Sequence, residues 1–353
     1  MRPWLLLAVA SMARALRTRF TTQLGAAPVI LAPMGGCAGG ELAAAVSVAG
    51  AVGLVGSGGE SLDFLREEWA VALAAPHDRD LLGFGLNVGQ LDGYAPRTLE
   101  ALLAELKPKH VYLSFGDCGA YASAVKNAGA TLYSNCGDSE GAVAHAEAGV
   151  DVVVAQGSDA GGHTHPTASA FALVPQARAA LDAAGHGSTL LAAAGGIADG
   201  RGLAAALVLG ADAGVLGTTF AAARESTYTA SQKRAVVETT CGASGTTLGT
   251  FIDAVRGIDH HSSGLPGRAV VNRSTRLEAA YLAADDAGRA ELRAEHDAGV
   301  QATGEGLDWG ATWAGAACGL VTSVRPAAAI VESVLGDARA ALEQGAGLSL
   351  IHI

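Results

Sequence analysis

From residue 28 onward the chain alternates between two hydrophobic patterns. Short continuous apolar runs, rich in β-branched residues and ended by glycines, read as strands buried on both faces. Ala-rich segments with apolar positions three and four apart read as helices laid against them. The runs fall at 28–34, 52–55, 82–87, 110–115, 131–135, 150–156, 190–194 and 213–217. Helices are expected from Glu41, after Ser61 as N-cap, over 97–106, up to Ala128, over 139–148, over 168–184 and over 201–209. Strand–helix repeats of this kind predict an α/β fold, a closed (β/α)8 TIM barrel. An open doubly wound sheet is the competing arrangement, but no G-x-G-x-x-G follows the first strand.

The rhythm breaks near residue 225. Charged helical pieces over 274–296 and looser Gly/Thr stretches predict a smaller, mainly helical lid domain over the barrel mouth. The expected organisation is an N-terminal extension at 1–24, the barrel at 25–224, the lid at 225–318, and a C-terminal segment at 319–353. The last carries a helix over 325–342, opened by Pro326, that returns to the barrel. Arg2, the apolar run 4–10 and the arginines at 14, 17 and 19 follow the order of an export signal. The run is short, however, and Met12 offers an alternative start. A loose extension or a start-site artefact is the preferred reading, and the expected location is cytoplasmic.

Composition narrows the function. The 353 residues suit a barrel with an appendage. Hydrophobic residues make up 50% and aromatic residues 5%, so Ala, Val, Leu and Gly must build the core. A net charge of −11 without a long basic run argues against nucleic acid or an anionic membrane as partner. Five scattered cysteines with no C-x-x-C point to a reducing compartment and free thiols rather than disulfides or zinc. Cys37 lies in a Gly-rich loop and is read as a small buried residue.

The chemistry is expected where strands end. The run Val152–Gln156 stops in a loop with three glycines that closes on His163. Gln156 can donate and accept hydrogen bonds, and an imidazole can move a proton near neutral pH. Gly195 and Gly196 follow the seventh strand, while Gly217, Thr218, Thr219 and Phe220 follow the eighth. In barrels the loops after these two strands often hold a phosphate. Ala32, Pro33, Met34 and Gly35 after strand one, with Asn87 ending strand three, complete the same mouth. A flat heterocycle with a phosphate tail would touch all of these, and FMN suits best. Asp199 is read as a helix cap and His165 as a loop neighbour. His260–His261, with Asp259, is read as a surface cluster, so no metal is expected.

These residues carry a resemblance. The chain resembles the nitronate monooxygenase (2-nitropropane dioxygenase) family of FMN-dependent barrels over nearly all of residues 25–340. The match rests on Ala32-Pro33-Met34-Gly35, on Asn87, and on the stretch from Gln156 through Asp159 and Gly161 to His163. It continues in Gly195-Gly196-Ile197-Ala198-Asp199-Gly200, in Gly210-Ala211-Asp212 leading to Gly217-Thr218-Thr219-Phe220, in Glu225-Ser226 with Lys233, and in Pro266-Gly267-Arg268 with Asn272. Asp159 stands where the family more often has Glu, Thr219 where Arg is common, and His165-Pro166 follows the key histidine. The resemblance implies that Gln156 contacts the flavin ring with Gly161 nearby, and that Gly195, Gly196 and 217–219 hold the phosphate. It makes His163 the catalytic base. The implied reaction oxidises alkyl nitronates or nitroalkanes with O2 to a carbonyl compound and nitrite, in a monomer or homodimer. Two alternatives stay open: an FMN-dependent enoyl-acyl-carrier-protein reductase using reduced nicotinamide, and a phosphate-binding barrel without redox activity.

Overall fold

The strands form where the apolar runs stand. In the structure, a computed structural model describing residues 16–92, 97–255, 265–304 and 308–346, they are β1 (Val29–Leu31), β2 (Gly53–Ser57), β3 (Leu82–Asn87), β4 (His110–Ser114), β5 (Thr131–Cys136) and β6 (Val152–Gln156). A two-residue strand, β7 (Gly162–His163), then precedes β8 (Leu190–Ala194) and β9 (Ala213–Leu216). All but β7 lie in one parallel sheet ordered β1-β9-β8-β6-β5-β4-β3-β2. Its two edges meet: Leu31 N–H donates to the Val52 carbonyl at 2.9 Å, and Val52 N–H to the Val29 carbonyl at 3.1 Å. The barrel is closed, with helices outside, as the repeats predict.

Two apolar layers hold it. Helices pack on the outside of the strands through Leu, Val and Ala, for example Leu65, Leu102, Val125 and Leu203. The interior is filled by Ile30, Leu54, Val152, Val154 and two stacked tyrosines, Tyr112 and Tyr133, with ring centroids 6.2 Å apart. Ala192, Ala194 and Ala213 on β8 and β9 leave room for that bulk. Low aromatic content thus suffices, because a few rings sit at the centre. At the N-terminal end of the strands, the Tyr133 hydroxyl lies 2.8 Å from His110 Nδ1, and His110 Nε2 lies 3.1 Å from the Asp80 carbonyl.

Residues ahead of the barrel are partly structural. Arg19–Leu24 is a helix with a Thr18 capping box, and its Phe20 is fully buried in the barrel interior. Arg19 holds Asp212, just before β9, through paired 2.7 Å contacts. This helix closes the bottom of the barrel, so the stretch expected as a loose extension over 1–24 is folded from Thr18 on. The apolar run 4–10 and the alternative start at Met12 lie outside the described residues.

Within the segment expected as a mainly helical lid, the helices alternate with strands. Helices Ala230–Glu238, Arg273–Arg276, Glu278–Ala283 and Asp286–Thr303 are joined by β10 (Thr246–Gly249) and β11 (Gly267–Val270). These strands pair antiparallel with each other, and β11 also pairs with β7. The lid therefore reaches back and takes the Gly-Gly-His loop into its own sheet. At its start, Arg224 N–H donates to the Arg325 carbonyl, Glu225 accepts from Ala327 N–H, and Lys233 Nζ donates to the carbonyls of Arg224 and Ser226. The Arg224 and Glu225 bonds tie the lid's entrance to the final helix, Ala327–Ala346, which packs on Gly200–Val208 and returns to the barrel.

Candidate active site

Parallel strands deliver all their C-terminal ends to one rim, and most of the residues expected in the site lie there. β8 and β9 are hydrogen-bonded neighbours, with Ala194 opposite Val215, so the Gly195–Gly196 and Gly217–Thr218 turns emerge side by side. Gly195 and Gly196 both have left-handed backbone, with φ of 102° and 73°. A side chain there would be strained. A Cβ on Gly195 would also come within 2.9 Å of the Ala160 nitrogen. Thr218–Ala221 forms one helical turn, whose first N–H groups geometry leaves without intrahelical acceptors. The Thr218 hydroxyl accepts from Gly315 N–H at 2.9 Å, while Phe220 is fully buried in the outer core. Phe220 can therefore offer a ligand only its backbone. Asp199 caps the next helix by accepting from Gly202 N–H at 3.0 Å, as its position suggests.

The loop after β1 packs into the rim from the other side. Pro33 rests on Gly85 of β3 and the Met34 backbone on Gly56 of β2, positions where a Cβ would overlap them. Met34 lies against Gly217, which follows the neighbouring strand β9. Asn87 Nδ2 donates to the Gly58 carbonyl at a long 3.4 Å. Gly161 packs against the backbone of Ala314–Gly315 in the lid, which makes it a docking point for that segment.

Gln156, at the end of β6, links two neighbours. Its Oε1 accepts from Asn135 Nδ2 at 2.7 Å, and its Nε2 donates to the His163 carbonyl at 3.1 Å. The Asn135 Oδ1 is buried with no hydrogen-bond partner among the described residues, an acceptor still to be satisfied at the mouth.

His163 sits where barrel and lid sheets meet. Its backbone pairs with Gly267 of β11, and Thr164 N–H donates to the Pro266 carbonyl. Gly267 must be small, because a Cβ there would lie 2.5 Å from the Trp313 ring. Arg268 Nε donates to the Ser158 carbonyl at 3.0 Å and anchors the same loop. The His163 ring lies between Trp313, 5.3 Å away, and Phe115, 6.4 Å away and edge-on. Its Nε2 is 2.7 Å from Oδ2 of Asp253, a carboxylate only 6% exposed, on Phe251–Val255 of the lid.

Sequence reasoning missed several of these partners. Asp253 is 90 residues from His163, and no spacing connects them. Phe115, expected to end β4, instead turns out of the strand with φ of 55°. That backbone is unusual for a bulky residue, and it belongs to the residue whose ring edges the histidine. His165 lies 6.5 Å from Phe115, and burial lowers its pKa. Cys37 is buried, and burial pushes its thiol up to about 12, so it is not a nucleophile. Cys118, Cys136 and Cys318 are likewise buried thiols, and no metal-binding cluster occurs among the described residues. His260–His261 lie outside them.

The residues fit a flavin mononucleotide in three respects. The paired glycine and threonine turns offer a close backbone approach for an anion. The Ala32–Gly35 loop offers apolar surface, and Asn135 retains an unused acceptor. No helix among the described residues is long and apolar enough to cross a membrane.

Comparison with known proteins places the chain among similar ones. A family model described as nitronate monooxygenase matches residues 85–337. A nitronate monooxygenase of Neurospora crassa is 32% identical over 345 residues, covering 88% of this chain and 89% of that protein. Among solved structures, FabK from Thermotoga maritima aligns with a TM-score of 0.76 and 26% identity, over 95% of this chain and 100% of that one. A nitroalkane oxidase from Streptomyces ansochromogenes aligns at 0.72 and 26% identity, over 94% and 100%.

Proposed function

Since the chain belongs to the nitronate monooxygenase family, a family of flavin enzymes, we propose that it binds FMN and oxidises alkyl nitronates, and the nitroalkanes that give rise to them, with O2 to a carbonyl compound and nitrite. The observation that carries this reading is the meeting, at one rim, of the two anion-suited turns and a histidine backed by a carboxylate. Gly195, Gly196 and the backbone of Gly217, Thr218, Thr219 and Phe220 would hold the phosphate. Ala32, Pro33, Met34, Gly35, Asn87 and Gln156 would border the ring. Gly161 would keep the lid seated beside it. Residues 25–224 would form the cofactor domain and 225–318 the lid over the substrate, with 319–353 returning to the barrel.

When bound, the flavin would supply the redox chemistry between nitronate and O2, which belongs to the cofactor. The protein's part is the proton and the pocket. A nitroalkane carries an acidic C–H next to its nitro group. His163 would accept that proton, and the bonding pair would pass onto the nitro oxygens to leave a nitronate. Trp313 and Phe115 lie against the imidazole and leave it only partly exposed. Thr164, fully buried, donates to the Gly157 carbonyl at 2.8 Å and keeps the loop from shifting during the transfer.

The test is anaerobic mixing of the FMN-loaded protein with a nitronate and, separately, with NADPH, followed by flavin absorbance. Bleaching by the nitronate and not by NADPH is expected. Bleaching by NADPH alone would favour a nicotinamide-dependent reductase, and a protein that takes up no FMN would remove the reading.

A further inference from the structure

The contact between Asp253 and His163 does more than hold a ring in place. An ionised carboxylate can only accept hydrogen bonds, so at 2.7 Å from Asp253 the His163 Nε2 carries the proton. In the neutral imidazole the lone pair then resides on Nδ1. We propose that Asp253 is a positioning residue that fixes this tautomer, making Nδ1 the atom that accepts the substrate proton and balancing the imidazolium charge that results. The proposal rests on the reading of His163 as base.

The surroundings hold both partners of the pair. Asp253 stands on a helix whose Phe251 packs edge-on against Tyr281 at 5.4 Å and whose Val255 joins the same apolar cluster. His163 is fixed through its backbone by β11 and by Gln156. Neither can drift from the other without breaking a strand pair or an apolar cluster. In the transfer the C–H bond breaks, an N–H bond forms at Nδ1, and the electron pair stays on the nitronate. The new positive charge faces Asp253 through Nε2–H. Its stabilisation grows with the charge, so it acts on the transition state.

Asp253→Asn keeps the shape but can donate through its amide as readily as accept, so the tautomer is no longer imposed. NMR of the imidazole nitrogens, with His163→Asn used to assign the signal, should show the native ring protonated on Nε2 and the Asp253→Asn ring shifted toward Nδ1-H. On a neutral nitroalkane, kcat of Asp253→Asn should fall by about two to four powers of ten with KM little changed, as for a histidine held in the wrong tautomer. The loss on a pre-formed nitronate should stay within about tenfold, below the full worth of a base. A native His163 protonated on Nδ1 would overturn the proposal. So would an unchanged nitroalkane rate in Asp253→Asn while His163→Asn lowers it. If His163→Asn also leaves that rate unchanged, the base assignment itself has failed, and the native NMR signal still decides what Asp253 does. That signal needs no Asp253 variant, so poor folding of the mutant does not block the test.

Discussion

At the residue scale the question is what His163 gains from its place. An imidazole on an open loop would move freely and meet water. This one is pinned by strand pairing at its backbone, by Asp253 at Nε2 and by two aromatic rings at its sides. Such placement matters most where a C–H bond must break. His163→Asn should therefore slow turnover of a neutral nitroalkane by about two to four powers of ten, the usual worth of a positioned base. The loss should be clearly smaller on the corresponding nitronate, which has already given up that proton, and FMN content should hold. Steady-state kinetics on both substrates check this. Equal losses would leave His163 as a positioning group for the nitro oxygens only.

At the scale of elements, β7 and the β8–β9 turns divide the labour. The short β7 fixes the proton-transfer residue because β11 from the lid takes it up, and Pro266, Gly267 and Arg268 each have a separate role in that joint. The turns after β8 and β9 serve the cofactor instead. A Cβ on Gly196 would meet only the Asp159 side chain, at an ordinary 3.6 Å, yet the backbone φ is 73°. Gly196→Val would force a β-branched residue into left-handed backbone and push a side chain toward the proposed phosphate. The variant should fold and lose most of its FMN, measured as flavin released per protein after reconstitution. A folded variant with full flavin content would place the phosphate elsewhere.

At the scale of the whole molecule, the barrel is closed at its base by buried polar chemistry that responds to pH. Burial lowers the pKa of His110 to about 4, with the Asp80 carbonyl opposing weakly, against 6.5 for an ordinary histidine. The unfolded chain takes up a proton below its ordinary value, and the folded chain does not until about 4. His110 thus contributes stability that is present above about 6.5 and is lost as pH falls through about 4, in all about 3 kcal/mol. His145 and His165, both lowered by burial, push in the same direction. The urea midpoint should fall between pH 7 and pH 4, and fall less steeply in His110→Gln. Identical slopes in the two proteins would acquit His110.

What the residues alone determine is the barrel. A strand buried on both faces needs an unbroken apolar run, and a helix needs its stripe and its cap. Both are local, so β3 and β8 fall at 82–87 and 190–194, as the apolar runs indicate, and Ser61 and Asp199 cap the helices expected of them. Glycine–threonine punctuation after β8 and β9 is equally local, as is the histidine at the end of the Gly-rich loop. The contacts that make the rim a site are not local. A two-residue strand has no period to read, so the sheet of β7, β11 and β10 appears only when the lid folds back. Asp253 carries no signal of its own, because a carboxylate on a short helix looks like any solvated acid until burial brings it to His163. Phe220 and Gln156 make the same point in reverse. Both sit in the expected motifs, yet packing turns the Phe220 ring into the core and engages both ends of the Gln156 amide within the protein. Short-range pattern sets where chain segments end at the rim; the long-range fit between barrel and lid decides which side chains meet there.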